Sequence, residues 1–280
     1  MVSWIALGCS LAALCLSLVA AFGLWPEKKE PETEYLTYRE HQIPIVESVP
    51  VNAYDPTAFS LGETGWLCYE KDGVTGIPGI DVSSHQGEID WEKVAQSGIR
   101  FAMVRVGYRG YGEEGKLVLD ERYERNLKGA LDAGLEVGAY FFSQATSVWE
   151  VEEEMELLLG AIEGYDLTYP VVFDWEYIAN KPNARTAKVT GEAVSRMADF
   201  FCHTMEEAGY ASAVYFNQDM GYLSLDLDRL KDRTFWQAEY DAAPEFYYHF
   251  DLWQYSSKGT VPGVKTPVDM NLSFRDFSQE

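Results

Sequence analysis

The chain has 280 residues, of which 47% are hydrophobic and 14% aromatic, and this composition predicts a folded protein with a substantial core. Its formal net charge is -23, because 45 acidic residues face 22 Lys and Arg residues. Such a chain has too little positive charge to neutralise phosphates, so we exclude nucleic acid as a partner.

The N-terminal residues 2–25 contain no charged side chain, and the stretch is long enough to cross a bilayer. We therefore predict a single membrane anchor within residues 1–25. The alternative is a signal peptide, because small residues at 19–21 offer a cleavage position. Either segment sends the rest of the chain out of the cytoplasm, anchored at the cell surface or, after cleavage, secreted.

Residues 26–75 are rich in proline and acidic side chains and show little helical or strand periodicity. This pattern predicts a stalk, which if flexible would span on the order of 40 Å on average. Its end, residues 65–69, is apolar enough to pack on the following domain instead. We place the start of the single large domain near residue 76 and its end at residue 280.

Cys68 and Cys202 are the only cysteines after the N-terminal segment. One disulfide between them is possible, but two distant cysteines do not form a disulfide framework. Two unpaired, buried thiols are the favoured expectation.

A repeated unit follows residue 76: an amphipathic segment, a glycine and a short β-branched or aromatic run. The glycines Gly98, Gly134 and Gly209 precede strands that we predict over 101–106, 137–142 and 213–216. Helices are predicted over 148–162 and 190–207, and Asp120 is predicted to cap another. This alternation predicts parallel βαβ units and an α/β fold. Near the carboxyl end, strands at 234–238, 250–255 and 267–272 leave too little room for full helices between them.

The apolar run 169–173 leads into Asp174, Trp175 and Glu176. In a strand, alternate side chains share a face, so the two carboxylates would lie about 6.6 Å apart on one side. One acid of such a pair can stay protonated as a proton donor while the other stays charged. That division of roles is typical of glycosidases, and the end of a barrel strand is where catalysis takes place.

Further motifs accompany this pair, and their combination and order resemble family 25 of the glycoside hydrolases, the β-1,4-N-acetylmuramidases or lysozymes. The resemblance covers residues 76–280. The motifs are Gly79-Ile80-Asp81-Val82-Ser83, Tyr140-Phe141-Phe142-Ser143, Asp174-Trp175-Glu176, Phe235-Trp236-Gln237-Ala238-Glu239-Tyr240, Trp253-Gln254-Tyr255 and Val268-Asp269-Met270-Asn271. The resemblance implies an irregular, TIM-like β/α barrel with helices missing around the last strands. It also implies hydrolysis of peptidoglycan between N-acetylmuramic acid and N-acetylglucosamine.

The resemblance assigns roles to individual residues. Glu176 matches the proton donor, and Asp174 matches the companion acid that stabilises the positive sugar or orients the N-acetyl group of the substrate. Asp81 matches the acid of the first strand. The residues expected to contact substrate are Asp269, Tyr140, Trp236 and Tyr215. No metal or organic cofactor is expected, because no histidine shows ligand spacing with another.

Two other functions stay open at this point. The first is a noncatalytic cell-wall binding module on a membrane stalk, against which the intact Asp81, Asp174 and Glu176 argue. The second is a glycosidase that acts on another N-acetylated β-1,4 glycan, such as chitin. Locally, Asp81 could instead cap a turn, and Tyr140 and Trp236 could simply pack the barrel. The carboxylate spacing does not decide between a retaining and an inverting reaction.

Overall fold

The structure is a computed structural model that describes residues 33–279. The chain forms two compact units that divide between Ile45 and Val46. In the first unit, the antiparallel strands β1 (Tyr35–Tyr38) and β2 (His41–Pro44) make a hairpin. The predicted anchor over residues 1–25 lies outside the described residues. Within residues 33–279, no helix combines the length and the apolar character that a membrane span requires.

The second unit carries the remaining strands and the helices. The strands are β3 (Phe59–Leu61), β4 (Leu67–Lys71), β5 (Val74–Thr75), β6 (Ile77–Val82), β7 (Phe101–Arg109), β8 (Leu117–Leu119), β9 (Glu136–Ser143), β10 (Val171–Trp175), β11 (Ser212–Asn217), β12 (Thr234–Ala238), β13 (Leu252–Gly259) and β14 (Val268–Ser273). The α-helices are α1 (Trp91–Gln96), α2 (Tyr123–Asp132), α3 (Val148–Ile162), α4 (Gly191–Glu207) and α5 (Gln218–Leu223).

Strands β6, β7 and β9 to β14 close into a barrel, because β6 pairs with β7 on one side and with β14 on the other. Each pair of adjacent strands in the series β6, β7, β9, β10, β11, β12 and β13 is parallel. Strand β14 is antiparallel to both of its neighbours, β13 and β6. The short strand β8 extends the sheet from β7 as an antiparallel arm. The prediction of an irregular α/β barrel is confirmed.

Helices are sparse around the last barrel strands, as the sequence predicted. Only the six-residue α5 separates β11 from β12, and in the described chain no α-helix lies between β12 and β14. Helix α3 has the predicted bounds, and α4 begins after Thr190, whose side chain accepts a hydrogen bond from the backbone N–H of Ala193. The predicted cap of α2 is wrong, because Arg122 and not Asp120 holds the N-cap position. Asp120 instead accepts the backbone N–H of Arg122 at 2.9 Å and binds an arginine of β7.

An apolar core fills the barrel at the amino-terminal half of its parallel strands. The ring of Phe101 stacks on Tyr169 at a centroid distance of 4.4 Å, and Phe277 closes against Tyr169 at 5.1 Å. Gly79 is required beside this stack, because a Cβ at that position would lie 2.3 Å from the Phe101 ring. Polar side chains such as Asp81 and Asp174 lie toward the carboxyl ends of the same strands.

Much of the predicted stalk packs against the barrel. Tyr54 donates a hydrogen bond to the carbonyl of Phe250 at 2.7 Å, and its ring stacks on Phe274 at 3.9 Å. Trp66 is buried, and its indole N–H donates to the carbonyl of Thr260 at 3.2 Å. Residues 46–75 are therefore not a free stalk, because their aromatic side chains find apolar partners on the barrel. The division of the chain into anchor, stalk and barrel stays a prediction.

The two cysteines of the described chain are unpaired, as favoured from the sequence. Cys202 is buried in α4, where burial raises the pKa of its thiol to about 12. Cys68 is exposed on β4, contrary to the expectation that both thiols are buried.

Truncating Tyr54 tests the contribution of this packed segment. We expect Tyr54→Ala to lower the free energy of unfolding by about 2–4 kcal/mol, because it removes a stacked ring and a hydrogen bond. Tyr54→Phe keeps the ring and should cost about 1 kcal/mol. Urea denaturation measures both, with Tyr35→Ala as the control at an exposed tyrosine. Equal midpoints for Tyr54→Ala and Tyr35→Ala would contradict the assignment.

Candidate active site

Four acidic side chains meet at the carboxyl end of the barrel. Asp81 lies in β6, Asp174 in β10, Glu176 just beyond β10, and Asp269 in β14. Together they line a cleft of about 250 Å³. Asp269 is the direct cross-strand partner of Asp81, so closure of the barrel by β14 brings these two carboxyl groups side by side. The structure thus gathers every predicted acid in one place.

The three predicted aromatic residues line the same cleft. The ring of Trp236 meets the rings of Tyr140 and Tyr215 edge to face, at centroid distances of 6.0 and 4.9 Å. Trp236 is only 1% exposed, and its indole N–H donates to Asn271 Oδ1 at 2.9 Å. Trp236 therefore forms the packed floor of the cleft, whereas Tyr240 is 57% exposed and presents its ring at the rim. Sugar contact by Tyr140, Trp236 and Tyr215 stays a prediction.

Two buried amides hold Asp81. Gln254 Nε2 and Asn271 Nδ2 each donate to Asp81 Oδ2 at 2.8 Å. Gln254 Oε1 in turn accepts hydrogen bonds from the hydroxyls of Tyr215 and Tyr240, both at 2.9 Å. The alternative of a turn cap does not describe Asp81, because its Oδ2 is bound by side chains from β13 and β14.

Gln254 and Asn271 were missed as site residues, although both belong to motifs quoted from the sequence. Asn271 stands two positions after Asp269, so strand alternation places both side chains on one face and could have identified it. For Gln254 the alternation of side chains gave a weaker signal, because the first four residues of β13 are all buried and do not distinguish one face from the other.

Arg105 is the only basic residue among those that line the described cleft, and the sequence reading did not identify it. It donates from Nε and Nη2 to Asp120 Oδ2 at 3.0 and 2.8 Å. Asp120 is buried and also accepts the backbone N–H of Ser84 at 3.0 Å, which ties the loop after β6 to β7. The guanidinium lowers the pKa of Asp174, against the stronger effects of burial and of the neighbouring acids.

Burial raises the pKa of all four cleft acids. It raises the pKa of Asp81 to about 8, with the charge of Asp269 as the next cause. The pKa of Asp174 lies well above its usual range because of burial first and then the nearby Glu176 and Asp81. Burial and the charge of Asp269 raise the pKa of Glu176, and burial raises that of Asp269. The four groups therefore hold protons to higher pH than isolated carboxyl groups do, because ionising all four in so small a space is unfavourable.

The acids of the cleft can donate a proton to a bound molecule and accept a hydrogen bond from it. The Asp174 carboxyl group lines the cleft, and its buried Oδ1 has no hydrogen-bond partner in the described protein. Within residues 33–279, no group of three or more His, Cys, Asp and Glu side chains has an arrangement that could hold a metal ion. The chemistry these residues can carry out is general acid–base catalysis.

Comparison with known proteins identifies relatives of this domain. The model of "Glycosyl hydrolases family 25" matches residues 80–264. Lysozyme M1 of Streptomyces globisporus is 28% identical over 212 residues, which cover 70% of this chain and 67% of that protein.

Two solved structures share the fold. One is the modular autolysin LytC of Streptococcus pneumoniae in complex with a synthetic peptidoglycan ligand, with a TM-score of 0.60 and 24% identity. The match covers 76% of this chain and 56% of LytC, so this chain spans little more than half of that protein. The other is a family 25 glycosyl hydrolase of Bacillus anthracis, with a TM-score of 0.58, 21% identity, and coverage of 77% of this chain and 96% of that one.

The raised pKa of Asp81 predicts a pH-dependent stability. Because its folded-state pKa, about 8, lies above the usual value, the stability that its proton contributes is complete at acid pH and is lost as pH rises through 8. Asp81→Asn has no such proton to lose and keeps an oxygen acceptor. We expect the variant to gain at least about 1 kcal/mol relative to the parent between pH 5 and pH 9.

Urea denaturation at a series of pH values measures this difference. Asp166→Asn, which changes an exposed acid before β10, serves as the control. Parallel stability curves for the parent and Asp81→Asn would show that Asp81 does not titrate in this range.

Proposed function

Because the chain belongs to family 25 of the glycosyl hydrolases, we propose that it hydrolyses peptidoglycan at the β-1,4 bond between N-acetylmuramic acid and N-acetylglucosamine. The chain is a glycoside hydrolase, and the finer assignment of bond and residues is the proposal. The observation that carries it is the cluster of four acids with raised pKa values that line a single cleft, of which Asp81 and Asp174 are buried. Lysozyme M1 and the peptidoglycan-bound LytC support the choice of substrate.

Glu176 acts in this proposal as the general acid. Burial and the charge of Asp269 raise the pKa of Glu176, which favours its protonated form. The proton passes to the glycosidic oxygen as the bond from that oxygen to the sugar carbon breaks. The carboxylate that remains can then accept a proton from water during the second step.

Asp174 acts as the companion group. Its carboxyl group lines the cleft and can accept the amide N–H of an N-acetyl group. Held in this way, the acetyl oxygen attacks the sugar carbon and forms a cyclic intermediate as the leaving group departs. Water then opens the ring with net retention of configuration. This substrate-assisted route is known in other glycosidases.

Peptidoglycan as the substrate requires that the protein act outside the cytoplasm. The predicted N-terminal anchor would hold the enzyme at the membrane surface, and a cleaved signal would release it. The net charge of -23 agrees with a substrate other than nucleic acid, because it offers no attraction to phosphates. The anchor over residues 1–25 stays a prediction.

Replacing Glu176 by Gln tests the acid assignment and the bond together. We expect hydrolysis of purified peptidoglycan to fall by about 10²–10⁴-fold, because Gln has no proton to give. Borohydride reduction followed by mass spectrometry should show reduced muramic acid ends with the parent protein only. Glu163→Gln, at an exposed acid outside the cleft, should behave as the parent.

Other results would exclude parts of this proposal. Reduced glucosamine ends would identify a glucosaminidase, and cleavage of chitin in preference to peptidoglycan would identify another N-acetylated glycan as the substrate. Binding without release of sugars by the parent would identify a noncatalytic cell-wall module.

The pH profile tests the link between Glu176 and Asp269. Asp269→Asn removes a negative charge that raises the pKa of Glu176, so the pKa should fall. We expect the alkaline limb of kcat/KM to move to lower pH. The control Asp166→Asn should leave the limb in place. An unmoved limb in Asp269→Asn would mean that a group other than Glu176 determines it.

A further inference from the structure

A second groove adjoins the catalytic cleft and shares Tyr240 with it. Its volume is about 480 Å³. Leu61 and Leu67 of the β3–β4 hairpin form one side, and Tyr255 and Lys258 of β13 lie on the other. Tyr240 therefore borders both spaces.

The β3–β4 hairpin that forms one wall is firmly attached to the barrel. Phe59 packs edge to face on Trp253 at 5.3 Å, and the Trp66 indole N–H reaches the carbonyl of Thr260. The Gly62 N–H donates to the carbonyl of Trp66 at 2.9 Å and closes the turn. Leu61 is thus fixed in position although it is 71% exposed. The hairpin precedes the family match, which begins at residue 80.

The opposite wall is shaped by irregular pairing in β13. The register between β13 and β14 shifts on both sides of Ser256. In a regular strand, consecutive side chains would point to opposite faces, yet Ser256, Ser257 and Lys258 all line the groove. Bulges of this kind redirect side chains at the rims of barrels. In the described chain no ion pair joins the Lys258 ammonium to an acid, which leaves this cation available in a strongly acidic protein.

We propose that this groove is an accessory subsite that binds a further amino-sugar ring of the same glycan strand, outside the catalytic cleft. The inference rests on the proposed function, since it takes the strand in the cleft to be peptidoglycan. Leu61 and Tyr240 offer exposed apolar faces to the C–H face of a sugar ring. The Ser256 and Ser257 hydroxyls and the Lys258 ammonium can bond the ring's hydroxyl and acetamido oxygens. The β3–β4 hairpin, which precedes the family match, therefore adds a contact that only a long glycan strand reaches.

The test compares glycan strands of two lengths. The parent protein and the variant Leu61→Asp are each assayed on two peptide-free substrates. One is the shortest oligosaccharide that the parent cleaves, and the other is a strand several disaccharides longer. Losing one apolar contact should raise KM for the long strands about fivefold or more with kcat unchanged. The short substrate should be cleaved as by the parent. Lys258→Ala should change KM in the same direction, and Leu223→Asp, at an exposed leucine that lines neither space, should have no effect.

Other results would overturn the subsite or show that the subsite and the proposed function do not stand together. An unchanged KM for long strands in Leu61→Asp would overturn the subsite. An effect confined to peptide-bearing strands would overturn it in favour of a peptide-binding groove. If the parent cleaves no strand, the Kd of long peptide-free strands is measured by fluorescence anisotropy. Weaker binding by Leu61→Asp would then support the subsite although the proposed function had failed, and equal binding would overturn both.

Discussion

Closure of the barrel by the antiparallel strand β14 determines the geometry of the cleft. Between β13 and β6, this strand places Asp269 opposite Asp81 and Asn271 within reach of the same carboxylate. Asp269 lies near the start of β14. If β14 were parallel to its neighbours, this start would lie at the amino end of the barrel, away from Asp81. The electrostatic coupling between Asp81 and Asp269, and through Asp269 to Glu176, follows from this single reversal of direction.

The buried acids work against folding, and other contacts of the barrel offset them. Removing a carboxylate from water is unfavourable unless hydrogen bonds or an opposite charge compensate. Asp81 receives two amide donors, whereas Asp174 keeps a buried oxygen without a partner. Strain of this kind is common at catalytic sites, where stability is exchanged for function. The apolar stack of Phe101 and Tyr169, at the opposite end of the barrel, contributes stability without entering the cleft.

The sequence predicted best what depends on local pattern. The 3.6-residue period gave the bounds of α3, and alternation together with the motif order located Asp174 and Glu176. The amides that hold Asp81 were missed because they are 173 and 190 residues away along the chain, and no local pattern encodes such a pair. Proline and acid content favoured a stalk over residues 26–75. From Val46 onward, however, the aromatic residues Tyr54 and Trp66 pack on the barrel. Composition describes an average, and a few large apolar rings are enough to dock a segment.

The hydrogen bonds of Gln254 connect the acid cluster to the rim of the cleft. Its Oε1 accepts from two tyrosine hydroxyls, one on the buried Tyr215 and one on the exposed Tyr240. Because the bond from the buried Tyr215 does not involve the rim, it holds the Gln254 amide independently of Tyr240, and Nε2 donates to Asp81. Asp81 is thus positioned by side chains from three different strands: Gln254 of β13 and Asn271 of β14 bind it directly, and Tyr215 of β11 acts through Gln254.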